Sequence, residues 1–546
     1  MSNEDAIHLN FNGKYLTTTI AKSTATKTAA KIIPSNPIFI IFCIVLEQIY
    51  NFFLMIKTFI YKSMYLCCIK FFMIKITTEF YAELVKKFQH FPTSKQNKLL
   101  GLLSDFTFGE DKDDLFLLKG YAGTGKTTII SAFVNSLSLT GKKSVLLAPT
   151  GRAAKVISVY SKRPAFTIHK KIYFPKKQSN GSLDFVLQTN KHRNTIFIVD
   201  EASMISDSRQ NQKLFESGSL LDDLIRYVYS GHHCKLIFIG DTAQLPPVKL
   251  SISPALEQSN LMYEYQKNVT EIELDEVMRQ HESSGILANA TFLRLMVQND
   301  ATNFQFEINF PDIIRLIDGY DIEDALVTAY EKDGVEDTAF IVRSNKRANQ
   351  YNQQIRMNIR GQENEISAGD YIMVVKNNYF WLKENSVAGF IANGDICEIL
   401  KIFSIKELYG FKFAEVEVRM IDYPDMQSFE TVLLLDTLTS ETPSLTYEES
   451  NKLYQAVKED YIHEKSKYKQ FVGIKNNVFF NALQVKFSYS MTCHKSQGGQ
   501  WKTVFIEQPY LPEGVSKEYF RWLYTAVTRA QEKLYLIGFK DQFFND

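Results

Sequence analysis

Leu115-Phe-Leu-Leu-Lys119-Gly120-Tyr-Ala-Gly123-Thr-Gly125-Lys126-Thr127-Thr128 decides the fold of this chain. A short apolar run ends on a glycine-rich turn, and the residues that follow read as a helix. The spacing is G-x-x-x-x-G-K-[ST] in the strand-turn-helix setting that a phosphate-binding loop needs. Glycines let backbone N–H groups curl round a phosphate, and the helix N-terminus adds the positive end of a dipole. Lys126 is expected to reach the β and γ phosphates of a nucleotide and Thr127 to ligate Mg²⁺. Gly120, Gly123, Gly125 and Thr128 complete the expected cradle.

Downstream, Thr195-Ile-Phe-Ile-Val-Asp200-Glu201 is a second strand-length run, ending in two carboxylates. Such a pair alone means little. Below a P-loop it is the usual partner: Asp200 would hold the Mg²⁺ shell and Glu201 would polarise the attacking water. These two motifs give nucleotide hydrolysis without giving its purpose.

Around them, runs of strand length recur at 115–119, 144–148, 195–199 and 235–239, each followed by a turn-forming or polar residue. This is the pattern of a parallel sheet with crossover helices. It returns at 338–342, 503–506 and 533–537, with a helical pattern over 520–529. The expected fold class is therefore α/β, with two P-loop NTPase-like cores. The first core is assigned residues 73–325, with a small insertion near 170–192. The second is assigned 326–546, with a β-rich insertion near 370–485 whose strand-like stretches are 371–375, 414–420 and 431–435. A charged stretch at 448–468 reads as helix.

More motifs follow in order: Gly240-Asp241-Thr-Ala-Gln244-Leu-Pro246-Pro247, Met278-Arg279-Gln280, Thr492-Cys-His494-Lys495-Ser496-Gln497-Gly498 and Tyr524-Thr525-Ala526-Val527-Thr528-Arg529-Ala530. With these the sequence resembles the superfamily 1 helicases, in their RecD-like and Dda-like branch, from about residue 92 to 537. The resemblance implies two RecA-like cores with ATP and Mg²⁺ between them and single-stranded DNA across their top. It implies that Gln96 reads the adenine edge, since an amide can donate and accept at once. Gln244 would sense the γ-phosphate. Arg279 and Arg529 would contact it, because a planar permanent charge suits the charge spread over phosphate oxygens. Thr150, His169, Thr492 and His494 fall where relatives touch the strand backbone, a contact that does not read sequence. In relatives the small insertion carries a wedge, so Phe174 and Phe185 are candidate stacking aromatics; ordinary packing in a hairpin is an equal reading. Gln500 stands where many relatives carry Glu.

The resemblance implies an ATP-dependent DNA helicase that moves 5′ to 3′ on single-stranded DNA and opens tailed or forked duplex, acting as a monomer; the cysteine usage points to a reducing cytoplasm. One competing reading is a translocase that remodels RNA or strips proteins. Another is a non-motor P-loop enzyme such as a kinase, which has no need of Gln244, the two arginines or a second core. Gly231-His232-His233-Cys234 has no second ligand pair at a fitting spacing and reads as a helix end rather than a metal site. The charged run 459–469 reads as a solvated helix face.

Bulk composition agrees with a large folded enzyme. The 546 residues are 45% hydrophobic and 23% charged, which excludes disorder, and six cysteines in such a length make no disulfide framework. The net charge of +1 points to no polyanion, though a channel needs only a local basic lining. Residues 1–72 differ from the rest. They carry seven lysines against three acidic residues, so +4, which leaves −3 for the remainder. The stretch 37–72 is crowded with Ile, Phe, Tyr, Leu, Met and Cys. It reads as a mis-assigned start with Met73 as the true one, or as a membrane anchor at 37–56 in which Glu47, Gln48 and Asn51 would be costly, or as neither. No membrane is expected unless 37–72 belongs to the working protein.

Overall fold

A computed structural model describes residues 8–11, 14–17, 37–88, 90–177, 183–206, 219–276, 284–299, 301, 303–382, 386, 388–512 and 514–544. The chain divides into two units, 1–76 and 77–546. The first holds an antiparallel pair, β1 (His8–Phe11) and β2 (Lys14–Thr17), and most of the helix Pro37–Phe88. Phe52, Phe53, Leu54 and Met55 on this helix are exposed. Among the described residues no helix is long and apolar enough to cross a membrane.

The second unit begins in the last turns of that helix. Phe80, Leu84 and Phe88 recur every four residues, which puts them on one helical face, and all three are buried in a cluster with Leu99, Leu103 and Phe133. Burying each such side chain contributes about 1.5–3 kcal/mol.

The first core is a six-stranded sheet in the order β10-β3-β9-β8-β4-β5. Its strands are β3 (Asp114–Gly120), β4 (Lys143–Ala148), β5 (Ala165–Thr167), β8 (Thr195–Val199), β9 (Lys235–Gly240) and β10 (Asn268–Leu274). Every neighbouring pair is parallel. The sheet is covered on both faces, one apolar cluster holding Leu118, Ile198 and Ile239 and the other Leu117, Val199 and Phe238. Burial on both sides explains why these strands read as unbroken apolar runs rather than as alternation. The antiparallel hairpin β6 (Tyr173–Lys177) and β7 (Leu183–Leu187) comes between β5 and β8 in the chain and forms a separate two-stranded sheet.

The second core is a five-stranded parallel sheet in the order β11-β20-β19-β12-β18. Its strands are β11 (Ile313–Leu316), β12 (Thr338–Val342), β18 (Ser490–Thr492), β19 (Trp501–Glu507) and β20 (Ala530–Ile537). One expected boundary needs correction. The first core was assigned as far as residue 325, yet β11 pairs with β20, so the second core starts before Ile313. This strand has four residues, two of them only half-buried, and gives a weak sequence signal.

Between β12 and β18 lies a closed barrel of β13 (Tyr371–Val374), β14 (Ile396–Leu408), β15 (Phe411–Met420), β16 (Phe429–Leu434) and β17 (Leu483–Phe487). The stretch 448–468 is two helices, Tyr447–Glu459 and Lys467–Asn476, rather than one. Leu453, Val457 and Ile474 from them pack on Phe411, Phe413 and Leu434 of the barrel.

Candidate nucleotide site and nucleic-acid face

β3 delivers its last residue, Gly120, to the turn, and the helix Lys126–Leu137 starts immediately after it. Gly123 and Gly125 have φ of 75° and 83°, a region L side chains rarely enter. Gly125 must also be bare, because a Cβ there would stand 2.8 Å from Gln96 Nε2. The Lys126 ammonium lies over the loop, donating to the carbonyls of Gly120 (2.7 Å) and Tyr121 (2.8 Å). Gln96 is buried and links two elements. Its Nε2 donates to Thr124 O at 2.9 Å, and its Oε1 accepts the N–H of Thr93 at 3.0 Å in a capping box that starts the helix Ser94–Phe108. The amide thus ties that helix to the P-loop.

Lys126, Thr127 and Asp200 line one small crevice, while Thr128 faces solvent at the first turn of the helix. Asp200 follows the fully buried β8 and donates its N–H to Leu147 O at 2.9 Å. Burial, with the neighbouring Glu201 charge adding to it, raises the Asp200 carboxyl to about 6. A hydroxyl and a carboxylate are hard oxygen donors. They suit Mg²⁺, which is commonly held by one or two carboxylates with the rest of its shell from phosphates and water. Among the described residues no group of three or more His, Cys, Asp or Glu could hold a metal by itself, Gly231–Cys234 included.

Glu201 has φ 52°, a left-handed conformation that costs a non-glycine residue about 1 kcal/mol or more. Its N–H donates to Asp200 Oδ1 at 2.9 Å. From the second core, Arg529 Nη1 comes within 4.0 Å of Glu201 Oε1. Three contacts hold this guanidinium: Nε to Thr525 O (3.0 Å), Nη1 to Gly499 O (3.1 Å) and Nη2 to Thr528 Oγ1 (3.2 Å). Arg529 lies just beyond the helix Lys517–Val527 rather than inside it.

Gln244 follows β9 and is 7% exposed; its Oε1 has no hydrogen-bond partner among the described residues. Leaving such an atom buried and unpaired costs about 1–3 kcal/mol. Arg279 falls in 277–283 and lies outside the described residues.

Of the candidate strand-binding residues, Thr150 caps the helix Gly151–Ser161, accepting the Ala153 N–H at 3.2 Å. It meets the segment after Thr492, because a Cβ on Gly498 would lie 3.2 Å from Thr150 Oγ1. Thr492 stands at the N-cap position of the short helix Cys493–Ser496 without a side-chain bond to it, and His494 on that helix is exposed. His169 sits on the helix Ile168–Ile172 beside Tyr173, ring centroids 5.8 Å apart. It is half-buried, and desolvation lowers its imidazole to about 4. Phe174 on β6 is half exposed, and Phe185 faces Pro175 in the ladder.

Several cross-core contacts were not singled out from the sequence. Arg152 stacks on Trp501 at 4.0 Å. Lys155 pairs with Asp422 of the barrel at 3.1 Å. Tyr524, Thr525 and Gln497 all reach the first core. The last three stand inside motifs already quoted, which was the available signal. Gln500 accepts from Gln531 Nε2 at 2.9 Å.

Comparison with known proteins agrees with this geometry. Residues 107–302 match an AAA domain, and 487–537 match a UvrD-like helicase C-terminal domain. An uncharacterised protein of Acanthamoeba polyphaga mimivirus is 25% identical over 506 residues, covering 80% of this chain and 97% of that one. The RecBCD enzyme subunit RecD of Buchnera aphidicola is 23% identical over 485 residues, 79% of this chain and 71% of that one. The ATP-dependent DNA helicase dda of Enterobacteria phage T4 is 30% identical over 171 residues, 30% of this chain and 35% of that one. With a P-loop, an acidic pair and an arginine from a second parallel core in one cleft, and with these two domain matches, the chain is similar to the superfamily 1 helicases of the RecD and Dda type, a likeness that supports ATP-dependent DNA helicase activity.

Proposed function

We propose that this protein moves 5′ to 3′ along single-stranded DNA and opens tailed or forked duplex ahead of it, driven by ATP hydrolysis between its two cores. The observation that carries the reading is Arg529, which comes from the second core yet approaches Glu201 of the first within 4.0 Å. A bond that forms and breaks across two bodies can turn hydrolysis into relative motion, because ATP shifts the population between open and closed clefts.

In this reading the P-loop amides and Lys126 bind the phosphates, and Gln96 adds a contact to the adenine. Thr127 and Asp200 would hold Mg²⁺, which when bound offsets phosphate charge. Glu201 takes up the proton side of the attacking water. Arg529, with Arg279, neutralises charge as the bond to the γ-phosphate breaks, and Gln244 registers whether that phosphate is present. Thr150, His169, Thr492 and His494 hold the DNA backbone, with Phe174 and Phe185 near the fork. The protein would act as a monomer in the cytoplasm, in DNA repair or recombination.

Unwinding of duplexes with a single 5′ or 3′ tail, in DNA and in RNA, tests the proposal. Opening of the 5′-tailed DNA alone is the expected result. Opening of the 3′-tailed substrate would reverse the polarity. ATP hydrolysis without strand separation on any substrate would leave the translocase reading instead.

A further inference from the structure

Tyr524 belongs to the second core, on the helix Lys517–Val527, but its hydroxyl ends in the first. There it meets the P-loop and the turn after β9 together: the N–H of Ala122 at 2.9 Å and Asp241 Oδ2 at 2.6 Å. The direction of both bonds follows from the groups. An amide N–H can only donate, so the phenol oxygen accepts from Ala122 and its own proton goes to the carboxylate. Tyr524 and Asp241 are buried, and burial pushes the phenol well above its ordinary range, so it keeps that proton.

The same turn is held at its other end. Asp241 Oδ1 accepts the Ala243 N–H at 2.9 Å, directly before Gln244. Directly after Gln244, Leu245 donates its N–H to Thr525 Oγ1 at 2.9 Å and accepts from Gln497 Nε2 at 2.7 Å. The backbone on both sides of Gln244 is therefore bonded to the second core, through Tyr524 and Asp241 on one side and through Thr525 and Gln497 on the other. Hydrogen bonds of this kind weaken steeply once stretched by much over half an ångström. A small opening of the cleft would break this set, and closure would remake it. Arg529 lies five residues beyond Tyr524 on the same segment, so the hydroxyl seats as the guanidinium arrives at Glu201.

We propose that Tyr524 is a positioning residue for the ATPase step: its hydroxyl bridges the P-loop amide of Ala122 to Asp241, so that closure of the second core sets the loop carrying Gln244. The proposal rests on the reading of the cleft as the site of DNA-stimulated ATP hydrolysis. The alternative is a core tyrosine whose ring merely packs among Ala243, Leu245, Ile286 and Leu523.

Tyr524→Phe keeps the ring and removes the hydroxyl, and the full chain can be assayed for ATP hydrolysis with and without single-stranded DNA. The expected result is a fall of about tenfold in DNA-stimulated kcat, the effect of stranding buried partners, while KM for ATP and affinity for the strand stay within about twofold. In that background Asp241→Asn should cost little more, because the coupling it serves is already lost. Thr525→Val, which removes the second tether, should lower stimulation in the same way and gives an independent reading should Tyr524→Phe fold poorly. A Tyr524→Phe protein with the parent's stimulation, or one in which basal and stimulated rates fall equally with the melting temperature, would overturn the proposal. A parent protein that DNA does not stimulate would instead overturn the reading on which it rests.

Discussion

Glu201 shows how a residue's backbone can reveal its use. Its left-handed φ of 52° is unfavourable for a glutamate, and the turn persists because β8 and the Glu201 N–H to Asp200 hold it. Strain kept at a carboxylate beside a P-loop fits a group aimed at a reacting water. Glu201→Gln preserves shape and removes the base. Nucleotide binding by this variant should stay within about twofold, while single-turnover ATP hydrolysis falls by about 10²–10⁴. Hydrolysis at the parent rate would mean that another group activates the water. At this scale the motifs led to Lys126, Asp200, Glu201 and Arg529, which all lie at the cleft, while Arg279 lies outside the described residues. It was not legible for Tyr524, since a tyrosine in a motif carries no sign of where its hydroxyl ends.

At the scale of elements, the barrel is pressed onto the first core at the start of the helix Gly151–Ser161. Asp395, in the turn before β14, lies so close that a Cβ on Gly151 would come within 2.6 Å of its Oδ1. That oxygen has no partner among the described residues, while Oδ2 accepts the Ala392 N–H at 2.7 Å. Burial, with Asp422 adding and Lys170 opposing, raises the carboxyl to about 8. The folded state therefore keeps a proton that the unfolded chain releases from about pH 4 upward. Stability from this group is present below the ordinary carboxylate range and is lost as pH rises toward 8. Asp395→Asn keeps the Ala392 bond and removes the titration. It should leave the unfolding free energy near the parent's at pH 4–5 and raise it by on the order of a few kcal/mol at pH 8, measured by denaturant unfolding at the two pH values. Equal effects at both would show that the carboxyl is not protonated in the fold. This contact was invisible in the sequence, because it joins residues far apart in the chain. Seven strands of the two sheets were readable from their apolar runs, whereas β5, β11 and β18, with three or four residues each, were too short to stand out and β10 is too polar and too little buried along most of its length.

For the whole molecule, the two parallel sheets and the cleft between them follow from the P-loop reading and its recurrence, which is why the α/β class with two RecA-like cores was legible. The two helices packed on the barrel were less so, because a break after residue 459 interrupts one continuous charged pattern. What the cleft does is settled by neither core alone, since Glu201 and Arg529 come from different sheets. In the proposed cycle single-stranded DNA and ATP act on one closed state. The most direct test is the ATPase rate of the full chain with and without single-stranded DNA, beside Lys126→Ala. Stimulation of about tenfold or more is expected in the parent, with no hydrolysis above background in the variant, which should still bind the strand. A parent rate indifferent to DNA, or a Lys126→Ala protein that hydrolyses ATP as the parent does, would contradict it.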